Sequence, residues 1–219
     1  MVPDYSRIWV RVRDPKRDVM FPTYEQVKKI AEGAAIMADV DYKITLVSGI
    51  YEMLVNRSGG EIMQNNLELL GPISYNQEET TFGMGIQQAI GKPQVGMDSS
   101  INPLLETQDL PGGASTDVAD VSWNVPNINL SVTTAPRDTP WHSWAVVACG
   151  GMSIGHKGMV YASKALAMTM VDLFENPKMI AKIQAEFKTR KGDTKYEPMI
   201  DGPPPLDADF AFRACSNCN

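Results

Sequence analysis

Apolar and polar residues alternate in four stretches of the chain, as they do in strands that bury one face. The stretches are residues 8–13, 42–46, 118–123 and 128–133. Between the first two, residues 23–37 repeat apolar positions at helical spacing, behind a capping box formed by Thr23 and Gln26. A strand, a helix and a strand within the first quarter of the chain predict half of a small α/β sandwich.

Helical periodicity returns in later segments. They are residues 60–70, 78–90, 158–175 and the segment from 177 onwards. Asn176 and Pro177 suit the N-cap and the first position of the last helix. Residues 91–114 contain several prolines, glycines and serines, which predicts a long loop. Loops of that length in compact domains are often functional.

The composition changes this picture little but excludes some functions. The chain has 219 residues, 43% of them hydrophobic and 21% charged, which is typical of a globular protein. A net charge of -6 argues against a broad basic face for nucleic acid. No apolar run approaches the ~18 residues that span a bilayer, and no signal peptide is visible. We therefore expect a cytoplasmic protein without nucleic-acid or membrane partners.

The three cysteines do not form a disulfide scaffold, because their number is odd and low. Cys149 is interpreted as a small buried residue. Cys215 and Cys218 form a CxxC pair in a proline-rich tail. A redox or metal-binding tail is therefore a hypothesis, which ranks behind the two given below.

Four polar residues are the candidates for chemistry, and spacing alone leaves their roles open. His142 lies between two tryptophans, and His156 lies at the start of a predicted helix. Asp117 and Asp120 lie at the start of a predicted strand, where the competing interpretation is an ordinary turn at Asp117 and a strand that begins at Asp120. Two histidines 14 residues apart do not match the helical zinc motif, and the chain contains no nucleophile elbow or phosphate loop.

Several segments together resemble one family. They are "KIAEGAAIM", "SGIYEMLVNRSGGEIMQNNLELLGP", "GASTDVADVSWNVPNINL", "TPWHSWAVVACGGMSIGHKGMVYASKALAMTMVDLF" and "KYEPMIDG". In this order they resemble the C-terminal half of the aminobenzoyl-glutamate hydrolase subgroup of dinuclear zinc amidohydrolases. The wider family includes aminoacylases and carboxypeptidase G-type enzymes. The resemblance runs from about residue 4 to residue 202.

The resemblance implies an α/β fold in three parts. Residues 1–57 would form the second half of a ferredoxin-like lid, or dimerisation, domain. Residues 58–200 would form the C-terminal part of a zinc-peptidase-like α/β catalytic domain, and residues 201–219 an irregular tail. Family members are about twice as long as this chain, so sheet partners for the opening strand are expected upstream.

The activity that the resemblance implies is hydrolysis of N-acyl or N-aroyl amino acid amides, such as aminobenzoyl-glutamate. In the family, a glutamate base activates a water bound to two zinc (or manganese) ions. Most metal ligands and the base would lie upstream, so no catalytic residue is expected here. His142 matches one metal ligand. Asn56 matches a lid asparagine that points toward the substrate, against a turn-forming asparagine as the alternative. Asp117 matches a loop that borders the active site, where it would orient the substrate or a neighbouring residue. His156 matches either a substrate contact or a helix cap.

The expected partners are a small amide substrate and either a second copy, through the lid, or an N-terminal half. With one metal ligand, the chain on its own is expected to be inactive. The alternative function is therefore a non-catalytic binding or assembly module that has kept the family's sequence pattern. An in-frame upstream segment with the missing ligands would favour the hydrolase.

Overall fold

The computed structural model describes residues 5–105 and 115–200, and this part of the chain contains seven helices. They are α1 (Arg17–Ala38), α2 (Arg57–Leu70), α3 (Gln77–Ala89), α4 (Val118–Ser122), α5 (Trp144–Gly150), α6 (Ser153–Glu175) and α7 (Pro177–Lys191). No strand forms within the described ranges. The predicted α/β fold, with a zinc-peptidase-like sheet and a ferredoxin-like half-lid, is therefore wrong for these residues, which are helical or irregular.

The four alternating stretches are misleading because a strand is not a local element. Its backbone groups must pair with another strand, and alternation says nothing about whether a partner is present. Residues 8–13 and 128–133 are irregular, and most of 118–123 forms α4. Ile8 is 84% exposed, so the apolar face that the alternation predicted is not buried.

The described residues divide into two compact units. The first unit contains 5–54, 115–124 and 193–200, and the second contains 55–105 and 125–192. The predicted lid (1–57) and catalytic part (58–200) stay predictions, and the predicted tail (201–219) lies outside the described residues.

Tyr51 is the centre of the first unit, with 4% of its surface exposed. Its ring lies 5.6 Å from the ring of Trp123 and 4.9 Å from that of Tyr196. The Tyr51 hydroxyl donates to the Glu197 carbonyl at 2.8 Å, and the Trp123 indole donates to the Glu52 carbonyl at 2.7 Å. The end of α4 is thus tied to the segment around Tyr51, while most of α1 remains exposed.

In the second unit α2 packs on α6 and α7, and α6 also packs on α5 and α7. Ile86 of α3 forms the hydrophobic core with Ala145 and Cys149 of α5, which are both fully buried. The interpretation of Cys149 as a small buried residue is confirmed, and burial raises the pKa of its thiol. The first turns of α6 approach residue 133 so closely that a Cβ at Gly158 would lie 2.7 Å from the Thr133 carbonyl.

Two of the helix starts test the capping predictions. Asn176 caps α7, because its side chain accepts from the Lys178 N–H and Pro177 occupies the first turn, as predicted. The predicted start at Thr23 is wrong: α1 begins six residues earlier, and the Thr23 hydroxyl donates to the Val19 carbonyl inside the helix. The hydroxyl of a serine or threonine inside a helix can donate to a carbonyl of the preceding turn in this way. A capping-box pattern therefore does not by itself locate the start of a helix.

The longest helix, α6, has an inward face that is well packed and an outward face that is apolar. Ala165 and Thr169 are buried, whereas Leu166 is 43% exposed and Phe174 is 81% exposed. Among the described residues, no helix combines the length and the hydropathy that crossing a bilayer requires.

Candidate functional site

Glu79, in the first turn of α3, connects α3 to α6. Its carboxylate accepts from the backbone N–H of Asn76 at 2.8 Å, which completes a capping box. It also accepts from the Ser153 hydroxyl and from the Lys157 ammonium, both at 2.6 Å. Lys157 donates in addition to the Ser74 carbonyl at 2.8 Å. We call Glu79, Ser153 and Lys157 the Glu79 cluster.

The Glu79 cluster keeps its carboxylate ionised. The hydrogen bond from Lys157, followed by those from Ser153 and the Asn76 N–H, lowers the pKa of Glu79 to about 2. Tyr75 lies beside the cluster, with its ring 5.7 Å from the Lys157 ammonium. Burial, and secondarily the Glu79 charge, raises the pKa of Tyr75 to about 12. Since only 4% of Glu79 is exposed, this carboxylate holds the structure together and is not available to a ligand.

A groove of about 490 Å³ opens above the Glu79 cluster. Its lining includes His156, Lys157 and Lys164 of α6 and Pro72, Ile73 and Ser74 from the segment before α3. Basic groups beside an apolar wall suit a carboxylate joined to an apolar body. Because Lys157 is already paired with Glu79, the positive charge available to such a ligand comes from Lys164. We call this cavity the α6 groove.

His142 lies at the other end of α5 from the glycines that lead into α6. It is exposed and has a φ of 60°, in the left-handed region that few non-glycine residues adopt. Ala145 and Cys149 anchor α5 in the core, so the backbone after His142 is fixed. Trp141 and Trp144 on either side are 73% and 57% exposed. The imidazole is therefore exposed at the surface, just before a helix that is anchored in the core.

The described residues do not by themselves fit the pair of zinc ions that the resemblance implies. A protein zinc site takes at least three ligands from Cys, His, Asp or Glu side chains. Within 5–105 and 115–200, no group of three or more such side chains could hold a metal ion. One exposed histidine is compatible with a single ligand of a larger set, and no catalytic step is assigned to a metal here.

Asn56 is the N-cap of α2. Its side-chain oxygen accepts from the Gly59 N–H at 2.9 Å, and its side-chain nitrogen donates to the Ile183 carbonyl at 2.9 Å. The residue is 4% exposed. Both polar ends of the amide are thus used to start α2 and to tie it to α7, and a substrate role for Asn56 stays a prediction.

Glu186 of α7 stabilises the same end of α2. Its carboxylate oxygens accept from the backbone N–H groups of Arg57 and Ser58 at 2.8 and 2.7 Å, and from Arg190 at 2.6 Å. Burial opposes ionisation, but these donors outweigh it and lower the pKa of Glu186 to about 2. We call Glu186, Arg190 and the two amides of α2 the Glu186 cluster.

Asp117 lies in the first unit, immediately before α4. It is exposed, and its side chain caps no backbone N–H of that helix. The Thr116 hydroxyl approaches its carboxylate at 3.5 Å. Asp120 lies inside α4 and accepts from the Tyr51 N–H at 3.4 Å, so the expectation that it begins a strand is wrong. The contribution of Asp117 to substrate binding stays a prediction.

Comparison with known proteins relates the chain to a hydrolase subunit. The chain matches a subunit of the p-aminobenzoyl-glutamate hydrolase of Escherichia coli (strain K12), with 29% identity over 211 residues. The chain is similar to this hydrolase subunit along most of its length. The match covers 85% of this chain but 44% of the Escherichia coli protein, so the chain spans less than half the length of this hydrolase relative.

No protein-family profile and no solved structure matches the chain. The relationship to the aminobenzoyl-glutamate hydrolases therefore rests on the sequence match, which confirms the resemblance that the motifs indicate. It assigns no individual residue. The metal role of His142 and the substrate roles of Asn56, Asp117 and His156 stay predictions.

Three of these four residues lie in the second unit, and each occupies a different setting there. His142 precedes α5, His156 lines the α6 groove, and Asn56 is buried under α7. Asp117 belongs to the first unit. The structure thus places His156 in a cavity and His142 at the surface, and it uses Asn56 as a helix cap.

Reasoning from the sequence does not find the Glu79 and Glu186 clusters. The sequence just before Glu79 is typical of a polar linker, although Asn76 and Glu79 have the spacing of a capping box. That spacing is a local signal for the helix start. Nothing local indicates Ser153 and Lys157, which lie 74 and 78 residues further along the chain.

Proposed function

We propose that this chain is part of a metal-dependent amidohydrolase that cleaves N-acyl or N-aroyl amino acids of the aminobenzoyl-glutamate type. The observation that carries the proposal is the match to the Escherichia coli p-aminobenzoyl-glutamate hydrolase subunit along 85% of the chain. Because the chain spans less than half of that relative, the proposed activity needs polypeptide that corresponds to the rest of it.

His142 is proposed as one ligand of the zinc or manganese site. Its exposure and its fixed position ahead of α5 support this role, because the imidazole can meet ligands supplied by other polypeptide without a rearrangement of the core. A bound metal would activate the water that attacks the amide. The remaining ligands and the general base are expected from the part of the hydrolase that this chain does not match.

The α6 groove is proposed to take the substrate's carboxylate. Lys164 supplies positive charge there, His156 supplies a polar side chain, and Ile73 and Val160 supply an apolar wall. A glutamate-like product or substrate carries the matching negative charge at neutral pH.

The test combines this chain with the unmatched part of the Escherichia coli relative, produced separately. Bound zinc and the release of aminobenzoate from aminobenzoyl-glutamate are measured for each polypeptide and for the mixture. We expect metal and hydrolysis in the mixture and neither in this chain alone. A folded mixture that neither binds zinc nor hydrolyses the amide would contradict the proposal.

The two histidines provide matched variants for this experiment. His142→Asn keeps a residue that tolerates the left-handed backbone, so the imidazole is removed without added strain. We expect it to abolish zinc binding and hydrolysis, whereas His156→Asn should keep the zinc and raise KM. Equal zinc content in both variants would remove His142 from the ligand set.

A non-catalytic assembly module is the second candidate, and the apolar outward face of α6 favours it. In the same experiment such a module would bind the other polypeptide without producing hydrolysis. The predicted homodimer and the cytoplasmic location stay predictions under either function.

A further inference from the structure

The outward face of α6 carries several large apolar side chains. The exposed members are Met159, Leu166, Met170, Val171 and Phe174, with 43% to 81% of their surface accessible. Exposed apolar residues are ordinary when they are scattered, but a continuous patch marks an interaction surface.

Four of these residues form one stripe along the helix. Met159, Leu166, Met170 and Phe174 are spaced by seven, four and four residues, and Ser163 fills the gap in the first interval. At 1.5 Å per residue the stripe is about 22 Å long. No charged residue interrupts the helix between Lys164 and Asp172. We call these four side chains the α6 stripe.

The α6 stripe is separate from the surfaces that α6 already uses. The inward face, which includes Ala165 and Thr169, is buried against the other helices of the unit. The α6 groove lies on a third side, where His156 and Lys164 are. With about 100° per residue, the stripe lies between the groove and the inward face around the helix axis.

Helix α7 shows what a water-exposed face of this unit looks like. Its exposed positions include Lys178, Lys182, Gln184, Lys188 and Arg190. Both helices belong to the same unit and pack on each other. The run of exposed apolar residues along α6 is therefore not matched on α7, although Trp144 and Val147 of α5 are also exposed.

We propose that the α6 stripe is the docking surface for polypeptide that corresponds to the unmatched part of the hydrolase relative. The match accounts for 44% of that protein, so more than half of its length has no counterpart in this chain. A helix with one face in its own core and another apolar face outside is typical of an element shared between two parts of a structure. The inference rests on the proposed function for the identity of the partner, and not for any catalytic step.

The test is co-expression of this chain with the unmatched part of the Escherichia coli hydrolase subunit. A tag on this chain allows recovery, and native mass spectrometry gives the stoichiometry. We expect a 1:1 complex with the wild-type chain and at least a tenfold lower recovery with Met170→Glu. Phe174→Glu, near the end of the helix, should have the same effect with less risk to folding. Gln184→Glu places the same charge on α7 and should leave recovery unchanged.

Circular dichroism of each variant alone shows whether α6 is still folded. Recovery of this chain without the partner, or a complex that tolerates both stripe variants, would overturn the inference. A dimer of this chain that Met170→Glu dissociates would also overturn it, because the stripe would then bind a second copy. A 1:1 complex that depends on the stripe but lacks hydrolysis would support the docking surface while contradicting the proposed activity.

Discussion

The Glu79 and Glu186 clusters both keep a glutamate ionised, but they differ in which contact links two helices. In each, a glutamate accepts hydrogen bonds from a helix N-terminus and from a basic side chain, and its pKa falls to about 2. Glu79 caps its own helix and reaches another helix through Lys157. Glu186 does the reverse: it caps another helix, α2, and pairs with Arg190 one turn away in its own helix.

This difference determines which contact holds the fold together. In the Glu79 cluster the long-range connection is the pair with Lys157 and Ser153, made by a carboxylate that is 4% exposed. In the Glu186 cluster the long-range connection is the pair of backbone amides at the start of α2, and Arg190 is an additional partner from the same helix as Glu186. Charge removal should therefore separate helices at the first cluster and unwind a helix end at the second.

Acidification should have the largest effect, because it acts on both clusters. Both glutamates have a native pKa of about 2, against an ordinary value of 4.5. A lowered native pKa gives stability that is complete above about pH 4.5 and is lost as the pH falls towards 2. Urea unfolding at pH 6 and pH 3 should show this loss. The double variant with Glu79→Gln and Glu186→Gln should have a flatter profile, and an unchanged profile would contradict the assignment.

Glu79→Gln should be the most destabilising of the single substitutions. The buried amide cannot balance the Lys157 charge, so α3 and the first turns of α6 should loosen together. Hydrogen exchange should rise at both helix starts, and the urea midpoint should fall. Glu78→Gln, at the exposed neighbouring position, is the matched control. If both variants unfolded at the same midpoint, Glu79 would not be the connection between the helices.

Gly158→Ala should weaken the Glu79 cluster without touching its atoms. The new Cβ would lie 2.7 Å from the Thr133 carbonyl, so α6 must move away from residue 133. Overpacking of this kind costs about 1–3 kcal/mol of the free energy of unfolding. Gly85→Ala in α3 has open space around its Cβ and should stabilise the chain by about 0.5–1 kcal/mol. Urea unfolding of both variants measures the two changes in the free energy of unfolding, which should have opposite signs. Changes of the same sign would contradict the close approach of α6 to Thr133.

Glu186→Gln should destabilise the chain by about 1–2 kcal/mol, since charge-assisted hydrogen bonds to α2 become neutral ones. The effect should be local, with faster amide exchange at Arg57 and Ser58. Glu175→Gln, at an exposed position of α6, serves as the control. Exchange that rises along the whole of α2 and α6 would show that the cluster is not confined to a helix end.

Arg190→Ala should have the smallest effect, about 0.3–0.5 kcal/mol, as expected for a surface pair one turn apart. Lys157→Ala should exceed it, although the two basic side chains are exposed to a similar degree, 35% and 37%. The reason is that Lys157→Ala leaves a buried carboxylate without its partner. The two urea midpoints compare the clusters directly, and equal losses would remove the distinction between them.

The features that could be predicted from the sequence are those set by neighbouring residues. The Asn176–Pro177 pair indicates the break between α6 and α7 because capping and ring constraints act within one turn. The periodicity of residues 60–70 and 78–90 likewise predicts α2 and α3 within a few residues. Burial of Cys149 follows from its small apolar side chain.

The features that could not be predicted depend on residues far away along the chain. Residues 8–13 alternate as a strand does, but pairing requires a second strand that alternation cannot supply. The connecting role of Glu79 is invisible in the sequence because its partners lie more than seventy residues away. For the candidate site, the sequence indicates His142 and His156, but only the structure shows that one stands on the surface and the other lines a groove.

The α6 stripe has a consequence for oxidative damage. Two of its four side chains are methionines, and oxidation to the sulfoxide turns such a flexible apolar side chain into a polar one. Met159 and Met170 are 61% and 56% exposed, whereas Met63 in the interior is 2% exposed. Mild peroxide should therefore modify the stripe well before Met63. A surface that depends on apolar contact would lose its partner before the helical core is affected, and methionine sulfoxide reductase would restore it.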